Sequence, residues 1–188
     1  VFDLPERVIP EELRQAETPI GEALPELLYR ALAGHGWAQT RTLKDTWRLL
    51  RMQPRIQAGL RRLVDAGRIV PCVHRMEGAR SQNGWIRPED LELAERLREL
   101  PLRSSRAVLL SPFDPVLWDR KRVADLFGFD QVLEIFKPAP QRTYGYFCLP
   151  VLSGDQLFDR VDIKANGKRG TLRVLSTRYE RPQGDRPQ

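Results

Sequence analysis

Apolar residues recur with the period of an α-helix through much of the first half of the chain. The pattern predicts four helices, over residues 19–34, 42–50, 54–67 and 89–100. Thr42 is expected to cap the second helix, and Gly34 and Gly67 are expected to end the first and the third. A short acidic helix is also predicted at Glu11–Gln15. The buried positions of the third and fourth helices are predicted to be Ile56, Leu60, Leu63 and Val64, and Leu91, Ala94, Leu97 and Leu100.

Two strand-like runs follow the third helix. They are RIVPCVHRM and WIRP, and the polar segment EGARSQNG lies between them. Three helices followed by a strand, a hairpin and a second strand is the order of a winged helix-turn-helix domain. The sequence therefore predicts such a domain, with an N-terminal extension, over residues 1–100.

In the second half, Pro, Gly and β-branched residues replace the helical period. After a linker with a short helix at residues 101–130, four strands are predicted at residues 132–136, 144–152, 156–165 and 171–176. They are joined in part by tight turns at residues 153–155 and 166–167. The predicted fold class is α+β: a winged helix-turn-helix domain, then a small antiparallel β-sheet or barrel domain over residues 131–178. A polar, mobile tail is expected at residues 179–188.

The charge distribution adds a candidate partner. The chain of 188 residues carries a net charge of +6, and the positive charge is concentrated in residues 31–75 and after residue 100. Such clustering is typical of a protein that binds nucleic acid, although a basic protein without that partner remains an alternative. No run of apolar residues approaches the roughly 18–20 needed to span a bilayer. No membrane partner is therefore expected.

The cysteines and histidines argue against a metal centre. Cys72 and Cys148 lie in strand-like runs without the spacing of a metal-binding pair, which predicts free thiols and a cytoplasmic location. The two histidines, His35 and His74, are far apart in the sequence. Glycine-rich phosphate loops, nucleophile elbows and zinc-protease signatures are absent from the sequence. We therefore expect no metal and no cofactor.

The third helix and the segment after it supply the first candidate DNA-binding residues. Arg55 and Arg62 flank the apolar stripe of this helix, and Arg61 faces away from it. On a helix that enters the major groove, such side chains contact guanine or phosphate. Arg75 and Arg80 belong to the predicted hairpin, or wing. The alternative is that these arginines form a solvated surface on a structural helix and an ordinary exposed loop.

The run SPFDPVLWDRKRVADLFGF, residues 111–129, is the most distinctive segment of the chain. Prolines shape its start, and Trp118 is followed by Asp119 and three consecutive cations, Arg120, Lys121 and Arg122. An aromatic residue beside cations suits the edge of a phosphate-binding groove. The alternative is that Trp118 packs between two domains and that the charged residues open a solvated helix.

A second basic segment surrounds the turn Pro138-Ala139-Pro140. Lys137, Arg142 and Tyr144 flank this turn and are candidates for contact with a distorted duplex. The alternative is a simple turn with solvated charges.

Residues 111–129, together with QVLEIFKPAPQRTYGYFCLPVLSGDQLFDRVDIKANGKRGTLRV at residues 131–174, resemble the YcaQ/AlkZ-like bacterial winged-helix DNA glycosylases. The opening VFDLPERVIPEEL is similar to a segment that leads into that family's second half. The resemblance implies that this chain is the DNA-binding portion of a repair enzyme that excises alkylated bases and unhooks interstrand crosslinks. It also implies a double-stranded DNA partner and no metal or organic cofactor.

The resemblance places the catalytic residues elsewhere. In the family a Gln-hydrophobic-Asp or Gln-hydrophobic-Gln triplet lies in the amino-terminal portion, which is expected upstream of Val1. The triplet Gln183-Gly184-Asp185 has glycine at its centre and does not fit, so no catalytic residue is assigned here. Two other classes remain open, a non-enzymatic winged-helix transcriptional regulator and an interaction module that binds no nucleic acid. A monomer is expected.

Overall fold

The structure is a computed structural model that describes residues 3–75, 80–101 and 106–180. The chain divides into two compact units, Val1–Glu99 and Leu100–Gln188. Within the described residues there are seven α-helices and two antiparallel sheets, of three and four strands. The predicted α+β class is therefore confirmed.

Two helices form the centre of the first unit. Helices α1 (Pro5–Val8) and α2 (Glu11–Gln15) are short and exposed, whereas α3 (Ile20–His35) packs against α5 (Gln53–Asp65), with α4 (Thr40–Thr46) beside them. Their apolar faces meet in one core because each helix repeats its apolar residues every three or four positions. The buried members of this core are Leu24, Leu28, Ala31, Leu32, Ala38, Leu43, Ile56, Leu60, Leu63 and Ile69.

A three-stranded sheet completes the first unit. Its strands are β1 (Trp37–Ala38), β2 (Val70–His74) and β3 (Gln82–Ile86), in the spatial order β1-β3-β2 with both pairs antiparallel. The two runs predicted as strands around the hairpin are confirmed, but β1 was not predicted. It has only two residues, which is too short to show an alternating pattern. The order of elements is thus helix, strand, helix, helix, strand, strand.

Several predicted helix ends are wrong. Gly34 lies inside α3, which ends at His35 and is capped by Gly36 with φ of 70°. Thr42 is buried inside α4 and does not cap it, and the helix ends at Thr46 rather than at Leu50. The Thr46 hydroxyl bonds to the Thr42 carbonyl over 2.8 Å, so it competes for a helical acceptor at this end. The end of α5 beside Gly67, with φ of 67°, is as predicted.

Helix α6 (Pro88–Arg98) differs most from its predicted packing. None of its eleven residues, all of which are described, is buried, so the predicted burial of Leu91, Ala94, Leu97 and Leu100 is wrong. Polar contacts fix its start instead: Arg87 pairs with Asp90 over 2.6 Å, and the Tyr29 hydroxyl donates to Glu89 over 3.0 Å. An amphipathic pattern identifies the apolar face of a helix, not what covers it. Val64 of α5 is likewise exposed rather than buried.

The second unit is built on an open four-stranded sheet. Its strands are β4 (Ala107–Leu109), β5 (Cys148–Ser153), β6 (Gln156–Asn166) and β7 (Thr171–Tyr179), in the order β4-β5-β6-β7. Within the described residues β4 and β7 do not pair with each other, so the barrel alternative is wrong. Helix α7 (Arg120–Phe127) belongs to this unit. The buried core consists of Leu110, Leu117, Val123, Phe129 and Leu157.

The predicted strand at residues 132–136 is wrong. This segment is irregular and does not pair with any strand of the sheet. The Glu134 side chain points inward and accepts hydrogen bonds from the backbone of residues 143 and 144. The first strand of the sheet is instead β4, in the segment predicted as a linker. The other three strands and the turns at residues 153–155 and 166–167 are confirmed in outline, and β7 extends to Tyr179. Residues 181–188 of the predicted tail lie outside the described residues.

Candidate nucleic-acid interface

The three arginines of helix α5 have different surroundings. Pro54 lies in the first turn of the helix, and the buried Ile56, Leu60 and Leu63 fix its inner face. The Arg62 guanidinium donates a hydrogen bond to the Gly21 carbonyl of α3. Arg55 and Arg62 line a groove of about 230 Å³ between α3 and α5. Arg61 is exposed on another side of the helix.

The candidate wing residues flank a stretch that is not described. Arg75 and Arg80 are both exposed and lie on either side of residues 76–79, which are outside the described residues. The neighbouring strands β2 and β3 are held in register by the pairing of His74 with Gln82. The His74 ring lies 4.9 Å from that of Trp37, so this histidine packs against the sheet's first strand.

Asp114 and Asp119 shape the run from residue 111 to residue 129. The Asp114 carboxylate accepts a hydrogen bond from the Val116 N–H over 2.9 Å, and its carbonyl accepts from Trp118 over 3.2 Å. Asp119 is the N-cap of α7, and its carboxylate accepts from the Arg122 N–H over 3.2 Å. Both aspartates therefore hold the backbone of this segment in place.

The three cations that follow Asp119 have different surroundings. Arg120 is exposed, whereas Lys121 forms an ion pair with Asp125 over 2.6 Å on the same helix. Arg122 is half-buried, and burial lowers the pKa of its guanidinium while the Asp119 charge opposes that effect. Trp118 itself is exposed next to the fully buried Leu117.

Glu134 organises the loop that contains the other predicted site residues. Its carboxylate is almost fully buried and accepts hydrogen bonds from the N–H groups of Thr143, Tyr144 and Gly145 over 3.2, 2.7 and 3.4 Å. The Lys137 ammonium donates to the same carboxylate over 2.8 Å. Burial alone would raise the pKa of Glu134, but these hydrogen bonds outweigh it and bring the pKa to about 2. We call residues 134–146 the anchored loop.

Asp162 of β6 fixes the end of the anchored loop. Its buried carboxylate accepts from the Tyr146 N–H over 3.1 Å. At Gly145 the backbone has φ of 138°, and a Cβ there would lie 2.2 Å from the Asp162 oxygen, so only glycine fits. The thiol of Cys148, at the start of β5, donates to the Tyr144 carbonyl over 2.8 Å. Burial, followed by the negative charge of Asp162, raises the pKa of that thiol to about 11.

Lys137, Arg142 and Tyr144, the candidate residues around the proline-rich turn, all lie in the anchored loop. Arg142 donates to the Lys137 carbonyl over 2.8 Å, and its guanidinium lies 4.9 Å from the ring centre of Tyr146. The Tyr144 ring lies 4.2 Å from the Arg160 guanidinium. One face of Tyr144 is therefore occupied from within the protein.

Sequence reasoning missed Arg160, Glu134 and Asp162. A charged residue in a strand is ordinarily read as solvent-facing, and only the fold supplies the partners that make its burial favourable. Phe136 and Tyr146 were missed as exposed aromatic residues because alternation predicted a strand through Phe136. The sequence did offer one signal, an aromatic residue directly before Lys137 and a proline-rich turn.

Comparison with known proteins identifies the family. A family model described as DNA glycosylase AlkZ-like matches residues 1–184. The chain belongs to the AlkZ-like DNA glycosylase family, as the motifs at residues 111–129 and 131–174 predicted. Proteins of this class act on DNA, which agrees with the predicted DNA partner. No solved structure matches the chain significantly.

Neither a membrane-spanning helix nor a metal-binding cluster occurs among the described residues. None of the helices there is long and apolar enough to cross a membrane. Among the same residues, His, Cys, Asp and Glu side chains form no group of three or more that could hold a metal ion. The triplet Gln183-Gly184-Asp185 lies outside the described residues.

Proposed function

We propose that this chain is the DNA-gripping portion of a glycosylase that excises alkylated bases and unhooks interstrand crosslinks in double-stranded DNA. In such a reaction water bonds to C1′ of the deoxyribose, and the base leaves as the N-glycosidic bond breaks. The observation that carries the proposal is the family match over residues 1–184. That match favours the glycosylase over a transcriptional regulator.

In this proposal the first unit is a winged helix-turn-helix domain. Its support is the order helix, strand, helix, helix, strand, strand, together with the sheet order β1-β3-β2. Helix α5 is the recognition helix, and Arg61 is its outward cation. Arg55 and Arg62 border the α3–α5 groove, where they reach phosphate at the edge of the contact. Arg75 and Arg80 extend the contact from the wing.

The second unit supplies further phosphate contacts in this proposal. Arg120 is exposed at the start of α7, where the helix N-terminus favours an anion, and Trp118, Lys121 and Arg122 complete that segment. Lys137, Arg142 and Tyr144 belong to the anchored loop, whose buried hydrogen bonds hold the cations in place without DNA. A preformed surface loses less conformational entropy on binding.

The proposal places binding, not bond cleavage, in this chain. We assign no catalytic residue, no metal and no cofactor to it, and we propose that it binds as a monomer in the cytoplasm. Sedimentation of the chain with and without duplex tests the monomer. A single species at the mass of one chain per duplex is expected.

Titration of a labelled duplex at two salt concentrations tests DNA binding. Phosphate contacts predict that the logarithm of the affinity falls linearly with the logarithm of salt, by about 0.9 per phosphate contacted. Failure to bind at low salt would support an interaction module instead. A base-excision assay on alkylated duplex tests the division of roles: release of base by this chain alone would show that it holds catalytic residues.

A further inference from the structure

Phe136 is unusual among the apolar residues of the second unit. Its ring is 90% exposed, although the backbone on either side of it is fixed. An exposed aromatic residue on a loose loop is common and needs no explanation. Here Glu134, two residues earlier, is almost fully buried, and the Lys137 N–H that follows Phe136 donates to the Glu134 carbonyl over 3.0 Å.

The rest of the anchored loop is held just as firmly. The Glu134 carboxylate binds Lys137 on one side of the proline-rich turn and three consecutive N–H groups, from Thr143 to Gly145, on the other. Arg142 closes the turn by its hydrogen bond to the Lys137 carbonyl. The backbone of the loop is therefore preorganised by the protein's own buried carboxylate, so the points from which its exposed side chains project are fixed without a ligand.

A second exposed aromatic residue ends this loop. Tyr146 is 55% exposed, and its N–H is fixed by Asp162. The Arg142 guanidinium lies 4.9 Å from the centre of its ring, at the distance of a cation–π contact. The loop thus alternates aromatic rings with cations: Phe136 and Lys137 before the turn, Arg142 and Tyr146 after it.

This alternation suits one kind of ligand. An apolar protein partner requires a contiguous apolar patch, whereas an unpaired nucleotide offers a flat base for an aromatic ring and a phosphate for a cation. We propose that the anchored loop is a stacking platform for an unpaired or extruded base, with Phe136 as the stacking ring and Lys137 and Arg142 on the adjacent phosphates. This inference rests on the proposed DNA-binding function and specifies which DNA structure the loop recognises.

The test compares two labelled duplexes that differ only in one bulged base. The intact chain is expected to bind the bulged duplex more tightly than the fully paired one. Because stacking is worth about 1–3 kcal/mol per base, Phe136→Ala is expected to weaken binding to the bulged duplex roughly 5- to 100-fold. Its affinity for the paired duplex and the salt dependence should remain unchanged.

Two further variants make the result specific. Leu172→Ala removes another large apolar side chain, 72% exposed on β7, and is expected to change neither affinity. Phe136→Trp is expected to restore binding, and the bulged duplex should quench its Trp emission more than it quenches the Trp emission of the unaltered chain. If the Phe136→Ala chain binds each duplex as tightly as the unaltered chain does, the stacking platform is overturned, although DNA binding itself is not. Absence of binding to either duplex by the unaltered chain would overturn both proposals.

Discussion

The Arg160 guanidinium of β6 donates to the carboxylate of Glu180, the residue that follows β7, over 2.6 Å. The Arg160 side chain is 1% exposed and that of Glu180 is 28% exposed. The guanidinium also lies 4.0 Å from the ring centre of Phe129 and 4.2 Å from that of Tyr144. Arg160 therefore joins β6 to the turn after α7, to the anchored loop and to the residue that follows β7.

The buried guanidinium of Arg160 is stabilised by its ion pair with Glu180. We expect Glu180→Gln to lower the free energy of unfolding by about 1.5–3 kcal/mol, the loss of a hydrogen bond between charged groups. Urea unfolding followed by circular dichroism measures this change. The control is Glu92→Gln, at an exposed position of α6, where we expect less than about 0.5 kcal/mol. Equal effects of the two variants would contradict a stabilising role for the pair.

Glu134 is expected to make the free energy of unfolding depend on pH between about 4.5 and 2. Its pKa is about 2 in the folded chain against an ordinary 4.5, because its hydrogen bonds outweigh the effect of burial. A lowered pKa means that its contribution is fully present above pH 4.5 and is lost as the pH falls towards 2. Glu134→Gln should therefore reduce the free energy of unfolding at pH 7 and differ little from the unaltered chain near pH 2. Urea midpoints over this range measure it, and a constant difference between the two proteins would argue against the assignment.

Two glycines provide a matched test of close packing. A Cβ on Gly84 of β3 would lie 2.6 Å from the Trp37 ring and 2.8 Å from the Ala38 carbonyl oxygen. Gly84→Ala should therefore lower stability by about 1–3 kcal/mol, the usual range for overpacking. A Cβ on Gly34 meets nothing within 4 Å, and the residue lies inside α3, so Gly34→Ala should raise stability by up to about 1 kcal/mol. Thermal melts compare both.

The two thiols should differ in reactivity. Burial and the charge of Asp162 raise the pKa of Cys148 to about 11, so little thiolate forms at pH 8. Cys72 is half-buried and lines an open groove of about 500 Å³ beside β2 and β3. A thiol reagent at pH 8 should label Cys72 first and Cys148 only after denaturation. Cys72→Ala should abolish the early labelling, and fast labelling of that variant would contradict the burial of Cys148.

The sequence predicted regular elements better than it predicted their surroundings. Periodicity located α3, α5 and five of the strands, because burial on one face leaves a repeated pattern. It failed at Glu134, where alternation resembled a strand but the inward residue binds a loop, and at α6, whose apolar face is exposed. It also failed at Arg160, since a buried charge is recognised only by partners such as Glu180, twenty residues away. Side-chain contacts between distant segments have no local signature.

Helix α5 allows the proposed recognition role to be separated from a structural one. Arg61 is exposed, whereas the Arg62 guanidinium is bound to the Gly21 carbonyl of α3. If Arg61 contacts a phosphate, Arg61→Ala should weaken duplex binding and reduce the slope of log affinity against log salt by about 1, without lowering the melting temperature. Arg62→Ala should also lower the melting temperature, because it removes the hydrogen bond to α3. Arg96→Ala, exposed on α6, serves as the control of equal charge. If Arg61→Ala and Arg96→Ala alter the slope equally, the effect is one of net charge, and α5 does not act as the recognition helix.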